Sequence, residues 1–512
     1  IYYGNPGYLL VSSQGSSDFA VYKRDSNAYV GRFKIDSGAI DGVTHTDGID
    51  VTNRSLGGSY NSGLFVTQDN DNPSGNQNFK LVPWNRIAKY SSPALAVDTA
   101  GNVNTGGGAT APSPTATPKP STRPVTYYVD SAKGSDSNSG TSSSKPWKSL
   151  TKVNSIKLPA GSRVLLHRGS SWTGSLKISS SGASGNTTLI GAYGAGNAPV
   201  IKNGSSCVTL SGSYLVLQDL KLVGCSWAGV QISGSHNLIR RNVISDNVVG
   251  VVIKSGAGRN RVVSNVIADN NVMQSGTSGS NDDSGAFGVL VQGDFADISY
   301  NTISGSDAYS PDYGRDGAAV EIYGGRHNQI HHNLARNNDA FTELGNSRSG
   351  YNTYSYNVVF SSLKSSTFLV TRGSGSGYGP VEHTTVYNNT VLLTGSSSQG
   401  FVCSSGCSST ILRMRNNIIQ AVLKVGYADA TFDEDYNLYY GGITQFKLGS
   451  HSRVANPRFV DAGNWNVKLT SSSPAIDTGQ RNSWTVDYAG SSVPRDGNGD
   501  GSARQDMGAY EY

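Results

Sequence analysis

Two acidic stretches and a handful of single charged residues carry the chemistry this chain can do. Asn281, Asp282 and Asp283 fall in one polar stretch, and Asp307, Asp312, Arg315 and Asp316 in another. Directly downstream, residues 318–323 read AAVEIY, 341–345 read FTELG and 368–373 read FLVTRG. These segments supply Glu321, Tyr323, Glu343 and Arg372, and upstream the segment VIK supplies Lys254. A carboxylate pair drawn from Asp312, Asp316, Glu321 and Glu343 suits glycoside hydrolysis, in which one acid protonates the leaving oxygen and the other attacks or activates water. Lys254, Tyr323 or Arg372 suits β-elimination from a uronate, in which a base removes the α-proton while a cation or acid neutralises the carboxylate. A third reading needs no turnover: the same groove binds or adheres to a glycan. The candidate catalytic set is Lys254, Asp316, Glu321, Tyr323, Glu343 and Arg372, with hydrolase and lyase equally weighted.

Each candidate has a plainer reading. Glu321 suits a surface carboxylate paired with Arg326 or Arg348, and Lys254 a solvated lysine. Asp282, Asp283 and Asp312 suit loop solvation or a calcium site that braces the loop. His327, His331 and His332 have a spacing that would bind metal on a helix, but their segment reads as strand and turn. Asp496, Asn498 and Asp500 look like the front half of a calcium loop. Met507 stands where the closing Glu of such a loop belongs, so at most a partial calcium site is expected. Cys207 and Cys225 lie 18 apart, and Cys403 and Cys407 lie 4 apart. No CxxC pair favours zinc, so Cys207–Cys225 and Cys403–Cys407 are read as disulfides ahead of free thiols.

The elements that must position these residues repeat. The phrase apolar–x–Asn–x–apolar recurs around Asn242, Asn265, Asn301, Asn333, Asn357, Asn389, Asn417 and Asn437, at spacings of 23, 36, 32, 24, 32, 28 and 20 residues. The short spacings fit one coil of a β-solenoid, and the long ones fit coils with insertions. Stacked coils rise ~4.8 Å each, so an inward Asn at each bend would bond the Asn above and below. Asn also tolerates the left-handed backbone of a tight corner. In that frame Glu321 and Glu343 sit about 5 Å apart on adjacent coils and perturb each other's protonation. Register is the weak point, because a slip of one residue turns a side chain into the core.

Ahead of the repeat, residues 101–124 read GNVNTGGGATAPSPTATPKPSTRP. Such a stretch has no apolar periodicity and behaves as an extended linker. Residues 1–90 alternate apolar and polar positions in about five short runs, near Tyr8, Phe19, Tyr29, Gly63 and Phe79. Three zones are therefore expected: residues 1–92, a linker over 93–124, and a solenoid over 125–512.

Hydrophobic residues make up 36% and charged residues 15% of the 512, with 63 glycines, which fits a turn-rich all-β protein. The net charge of +5 tolerates an acidic glycan without demanding one. Basic residues are not interleaved with aromatics, so no nucleic-acid partner is expected. No apolar run reaches the ~18 residues that span a bilayer, so no membrane partner is expected either. The linker and cysteines point to a secreted, extracellular protein, and a monomer is expected. The first residue is Ile1, and the chain is expected to be a fragment of a longer one.

Two resemblances refine this. The Asn repeat, the segment from Tyr127 to Trp147 and the final segment 506–512 (DMGAYEY) together resemble the pectate-lyase-like family of right-handed parallel β-helix proteins. That resemblance implies a fold, with a cap before the first coil and a last strand at the C-terminus, and leaves the reaction open. Residues 7–15 (GYLLVSSQG), 41–51 (DGVTHTDGIDV), 63–69 (GLFVTQD) and 76–84 (NQNFKLVPW) resemble the last part of β-propeller phytases. This second resemblance implies calcium-dependent phosphomonoester hydrolysis of phytate, with Asp41, Asp47, Asn76 and Gln77 as calcium ligands. About two blades' worth of sequence is present, whereas a closed six-bladed propeller needs roughly 300 residues. The expected whole is an all-β chain: a partial propeller, then a parallel β-helix acting on polysaccharide.

Overall fold

The computed structural model describes residues 7–97, apart from 14, 39–41, 47, 53–55, 57, 71–77 and 92, and residues 123–512, apart from 280. Two compact units divide the chain, Ile1–Thr117 and Pro118–Tyr512. Most of the expected linker, residues 98–122, lies outside the described residues.

The first unit holds two three-stranded antiparallel sheets. Tyr8–Ser13, Asp18–Lys23 and Tyr29–Phe33 form one; Ile49–Thr52, Leu64–Asp69 and Asn78–Pro83 form the other. The four-residue strand Ile49–Thr52 adds to the five runs legible in the sequence. A short helix, Trp84–Tyr90, follows the last strand. Phe19, Phe65 and Trp84 are fully buried in this unit's core, where Phe19 and Phe65 meet edge to face at 5.0 Å. Calcium candidates Asp41, Asp47, Asn76 and Gln77 all lie outside the described residues.

The second unit is a parallel β-helix. One of its ribbons stacks twelve strands from Thr126–Val129 to Asp433–Glu434. Along most of these strands the inward side chain is apolar and meets its counterpart on the next coil, and the last strand ends the row with the buried Glu434. Ile239, Val262, Ile298, Ile330, Tyr354, Val386 and Met414 form one such row. All are fully buried, and burial of each contributes about 1.5–3 kcal/mol before the chain-entropy cost.

The asparagine ladder runs unbroken. Nδ2 of Asn242 donates to Oδ1 of Asn265 at 3.1 Å, and the same bond repeats through Asn301, Asn333, Asn357, Asn389 and Asn417 to Asn437 at 2.8–3.0 Å. Each of these asparagines is at most 1% exposed. The expectation about the backbone needs correcting: none of the eight asparagines is left-handed. The residue before each one is, namely Arg241, Ser264, Tyr300, His332, Tyr356, Asn388, Asn416 and Tyr436, with φ between 51° and 57°. The corner places the strained residue outside and the amide inside, where it satisfies the buried corner carbonyls. Two further amide ladders, through Asn247 and Asn270 and through Asn328 and Asn352, hold the other corners.

The segment from Tyr127 to Trp147 packs at the N-terminal end, with Tyr127 stacked on Trp147 at 4.5 Å. Residues 506–512 are not a last strand, which corrects the second end expectation. They form an irregular segment laid against the coils by side-chain bonds: Nδ2 of Asn388 donates to the carbonyls of Asp506 and Gly508, and Ala509 N donates to Thr390 Oγ1. Here Asp506 and Glu511 take up backbone amides that a strand would pair with a neighbouring strand. Cys207–Cys225 and Cys403–Cys407 are joined as disulfides.

Candidate functional site

The strands Ala228–Ile232, Val249–Ile253, Phe287–Val291, Ala318–Tyr323, Ala340–Gly345 and Thr367–Arg372 stack side by side in a second ribbon. Their register pairs Val252 with Leu290, Leu290 with Glu321, Glu321 with Glu343, and Glu343 with Val370. Val320 and Ile322 point into the core on either side of Glu321, so alternation drives Glu321 outward. Ile253, Val291, Ile322 and Leu344 form the adjacent inward row, so Lys254 and Tyr323, which follow two of them, face outward. The two long insertions fold into antiparallel hairpins, Met273–Ser275 with Ser284–Gly285 and Ala308–Ser310 with Gly314–Asp316. They wall a groove of about 760 Å³.

All six catalytic candidates line this groove: Lys254, Asp316, Glu321, Tyr323, Glu343 and Arg372. Arg372 donates to Glu343 Oε1 at 2.5 Å and to the Leu344 carbonyl at 3.0 Å. A guanidinium held in this way serves as the counter-ion of Glu343, not as a proton acceptor. Asp316 ends the second hairpin, and its Oδ1 accepts the Gly317 amide at 2.8 Å. Glycine is required there: φ is +141°, and a Cβ would sit 2.6 Å from the Ser306 carbonyl.

The carboxyls are not equivalent. Burial, then the neighbouring Glu343, pushes Asp316 up to about 7. Glu321 is only 9% exposed. Burial, then Glu343 and Asp316, raises it well above the usual carboxylate range, and Arg372 only partly offsets this. Asp339 rises to about 6 through burial and the nearby Asp307. Arg315 Nε donates to Asp307 at 2.7 Å, which commits that cation. Lys254 stands with its ammonium 5.8 Å from the Trp227 ring centroid.

Sequence reasoning missed Asp339, Trp227 and Tyr378, which also line the groove. Asp339 and Trp227 each immediately precede a strand of the groove ribbon. The available signal was this shared corner position, visible once the strand starts Ala228 and Ala340 are aligned.

Other candidates fall elsewhere. Arg348 pairs with Asp294 at 2.6 Å and Arg326 lies over Tyr351, so neither is the partner of Glu321. His331 Nε2 lies 3.2 Å from Asp297, and its Nδ1 lies 2.9 Å from Nδ1 of His332. Burial lowers His332 to about 4. His327 stacks between Phe295 and Tyr351. Asp496 accepts the amides of Gly499, Asp500 and Gly501, and Asp500 accepts that of Ser502, so this loop closes on itself. Asp282, Asp283 and Asp312 can bring one oxygen each within 4.8 Å of one another.

Comparison with known proteins divides along the same lines as the two units. Residues 1–105 match the Phytase family. A 3-phytase of Bacillus subtilis (strain 168) is 47% identical over 98 residues, which are 18% of this chain and 26% of that protein. This chain therefore spans about a quarter of the phytase. A lacto-N-biosidase of Bifidobacterium longum subsp. longum is 60% identical over 48 residues, 9% of this chain and 3% of that protein. Among solved structures, pectate lyase Pel9A superposes with a TM-score of 0.52 at 16% identity, over 75% of this chain and 96% of that one. That likeness establishes the pectate-lyase-like right-handed parallel β-helix and leaves the chemistry to the groove. No helix among the described residues is long and apolar enough to cross a membrane.

Proposed function

We propose that the β-helix is a glycoside hydrolase with Asp316 as general acid and Glu343, paired with Arg372, as the second carboxyl. One observation carries this: burial and Glu343 hold the Asp316 carboxyl at about 7, while Arg372 clamps Glu343 at 2.5 Å. A raised acid beside a carboxyl held by a guanidinium suits the two roles of a glycosidase. Asp316 donates its proton to the glycosidic oxygen as the anomeric C–O bond breaks. Glu343 either attacks the anomeric carbon or takes a proton from the attacking water. NMR of the first-formed anomer distinguishes these, since retention means attack and inversion means activated water. Glu321 stays protonated beside them and keeps a third charge out of the site.

The lyase reading has less support, because Arg372 is engaged with Glu343 and leaves only Lys254 and Tyr323 as candidate bases. A panel of neutral and acidic polysaccharides tests the choice. Reducing ends without unsaturated uronates support the hydrolase. Unsaturated uronates, or full turnover in both Asp316→Asn and Glu343→Gln, sink it.

The family match over residues 1–105 supports a second activity for the longer protein: calcium-dependent hydrolysis of phytate, with Asp41, Asp47, Asn76 and Gln77 among the calcium ligands. The whole is then a secreted, monomeric, two-module protein acting on phytate and polysaccharide. Phosphate release from phytate by a full-length chain, abolished by chelation, is the expected result. Release by residues 1–117 alone would overturn the account.

A further inference from the structure

Glu321 and Glu343 continue a row whose two preceding members are Val252 and Leu290, with Gln231 and Thr209 before them. The outer face of this ribbon therefore changes character along the helix axis. Phe287, Leu290, Val249 and Val252 form an apolar cluster with Trp227 packed against it, distinct from the interior core. Phe287, Leu290 and Trp227 of that cluster line the groove beside the acids. A glycan lying along the axis would cross this apolar floor one coil before it reaches the acids, since each coil advances ~4.8 Å.

The charges point the same way. Six carboxyl groups line the groove against three cations, and two of the six, Asp316 and Glu321, are held protonated in the hydrolase reading. Arg372 is paired with Glu343 and Arg315 with Asp307. Lys254 alone of the three has no ion pair among the described residues, and it stands off the Trp227 ring. A polyuronate brings a carboxylate on every sugar and is favoured where cations, from side chains or a bound metal, face it. An uncharged pyranose brings apolar C–H faces that suit a Leu–Phe–Trp floor.

We propose that the groove takes an uncharged glycan and seats the sugar adjoining the cleaved bond on Phe287 and Leu290 beside Trp227. This rests on the hydrolase reading and adds the substrate class to it. The test separates the two. Full-length Glu343→Gln chain is run by affinity electrophoresis through gels holding galactan, xylan, mannan, β-glucan or soluble chitin derivatives, and through gels holding polygalacturonate or alginate with and without calcium. Retardation by at least one neutral polymer, and at least about tenfold weaker retardation by the polyuronates, is expected. Equal or stronger retardation by a polyuronate, with or without calcium, overturns the proposal, and so does no retardation by any neutral polymer. Neutral binding without reducing ends from the wild type would sink the hydrolase reading and leave the substrate class standing. Leu290→Asp should weaken binding of the neutral polymer about tenfold, the loss of one apolar contact, while Leu290→Met restores it. Unchanged binding in a folded Leu290→Asp chain removes the floor from the site.

Discussion

Replacing Asp316 by Asn should stabilise the protein at pH 8 and leave it unchanged at pH 4. Asp316 titrates at about 7 in the fold, against 3.8 for an ordinary aspartate. Its folded pKa is raised, so its contribution to stability is fully present below pH 3.8 and is lost as pH rises through 7. The full interval corresponds to about 4 kcal/mol. A neutral side chain relieves both the burial of the charge and its repulsion from Glu343, so the expected gain at pH 8 is up to about 4 kcal/mol. Asn keeps an oxygen able to accept the Gly317 amide, so the hairpin end is preserved. Urea denaturation of wild type and variant at pH 4, 6 and 8, followed by tryptophan fluorescence, measures the difference. Asp339 at about 6, Asp506 at about 6 and Glu511 at about 8 titrate in the same window, and comparing wild type with variant cancels them. A variant less stable than wild type at pH 8, or a difference that ignores pH, refutes the buried-acid account. In the hydrolase reading the same carboxyl sets the alkaline limb of activity, so turnover should fall as pH rises through about 7.

Other perturbations test the frame and the counter-ion. Asn333→Ala removes the donor to the Ile298 carbonyl and the acceptor of the Asn301 amide in a fully buried corner, and should cost about 3–5 kcal/mol in the same denaturation assay. A loss below about 1 kcal/mol would mean that water replaces the ladder. Changing both members of Cys207–Cys225 to Ser opens an 18-residue loop and should cost about 3 kcal/mol; doing the same to Cys403–Cys407, with a separation of 4, should cost about 2. The reverse order by calorimetry would contradict the loop-entropy argument. Arg372→Met should lower kcat about a hundredfold by freeing Glu343 of its counter-ion, and Arg372→Lys should recover part of that. Equal kcat in Arg372→Met and wild type would take Glu343 out of the reaction.

The features legible in sequence were those that repeat. An inward amide every coil leaves a mark in the chain, and so does the apolar–acid–apolar pattern of Val320, Glu321 and Ile322, which fixed the outward face and the pairing with Glu343. Features made once were hidden. Asp339 and Trp227 become neighbours of the acids only because the coils align their strand starts. The elevated Asp316 depends on a hairpin folding its end residue against Ala308. The left-handed residues vary in type from Arg to Tyr to Ser, because the corner demands a backbone angle and leaves the side chain outside. The C-terminal segment is a last strand by resemblance alone, and its carboxylates take the amides that pairing would need.

The parallel stack also explains how like charges stay together. Glu321 and Glu343 would separate if their strands could slide, since Glu343 disfavours the ionised form of Glu321. Sliding by one residue would turn both carboxyls into the core and expose Ile322 and Leu344. That exchange loses apolar burial of about 1.5–3 kcal/mol per side chain and buries charge besides. Like-charge repulsion eased by protonating Glu321 and by Arg372 is the smaller cost. Register set by the interior therefore fixes an arrangement of acids on the exterior that the acids alone would not adopt, and the same argument places the apolar Leu290 one coil away from Glu321.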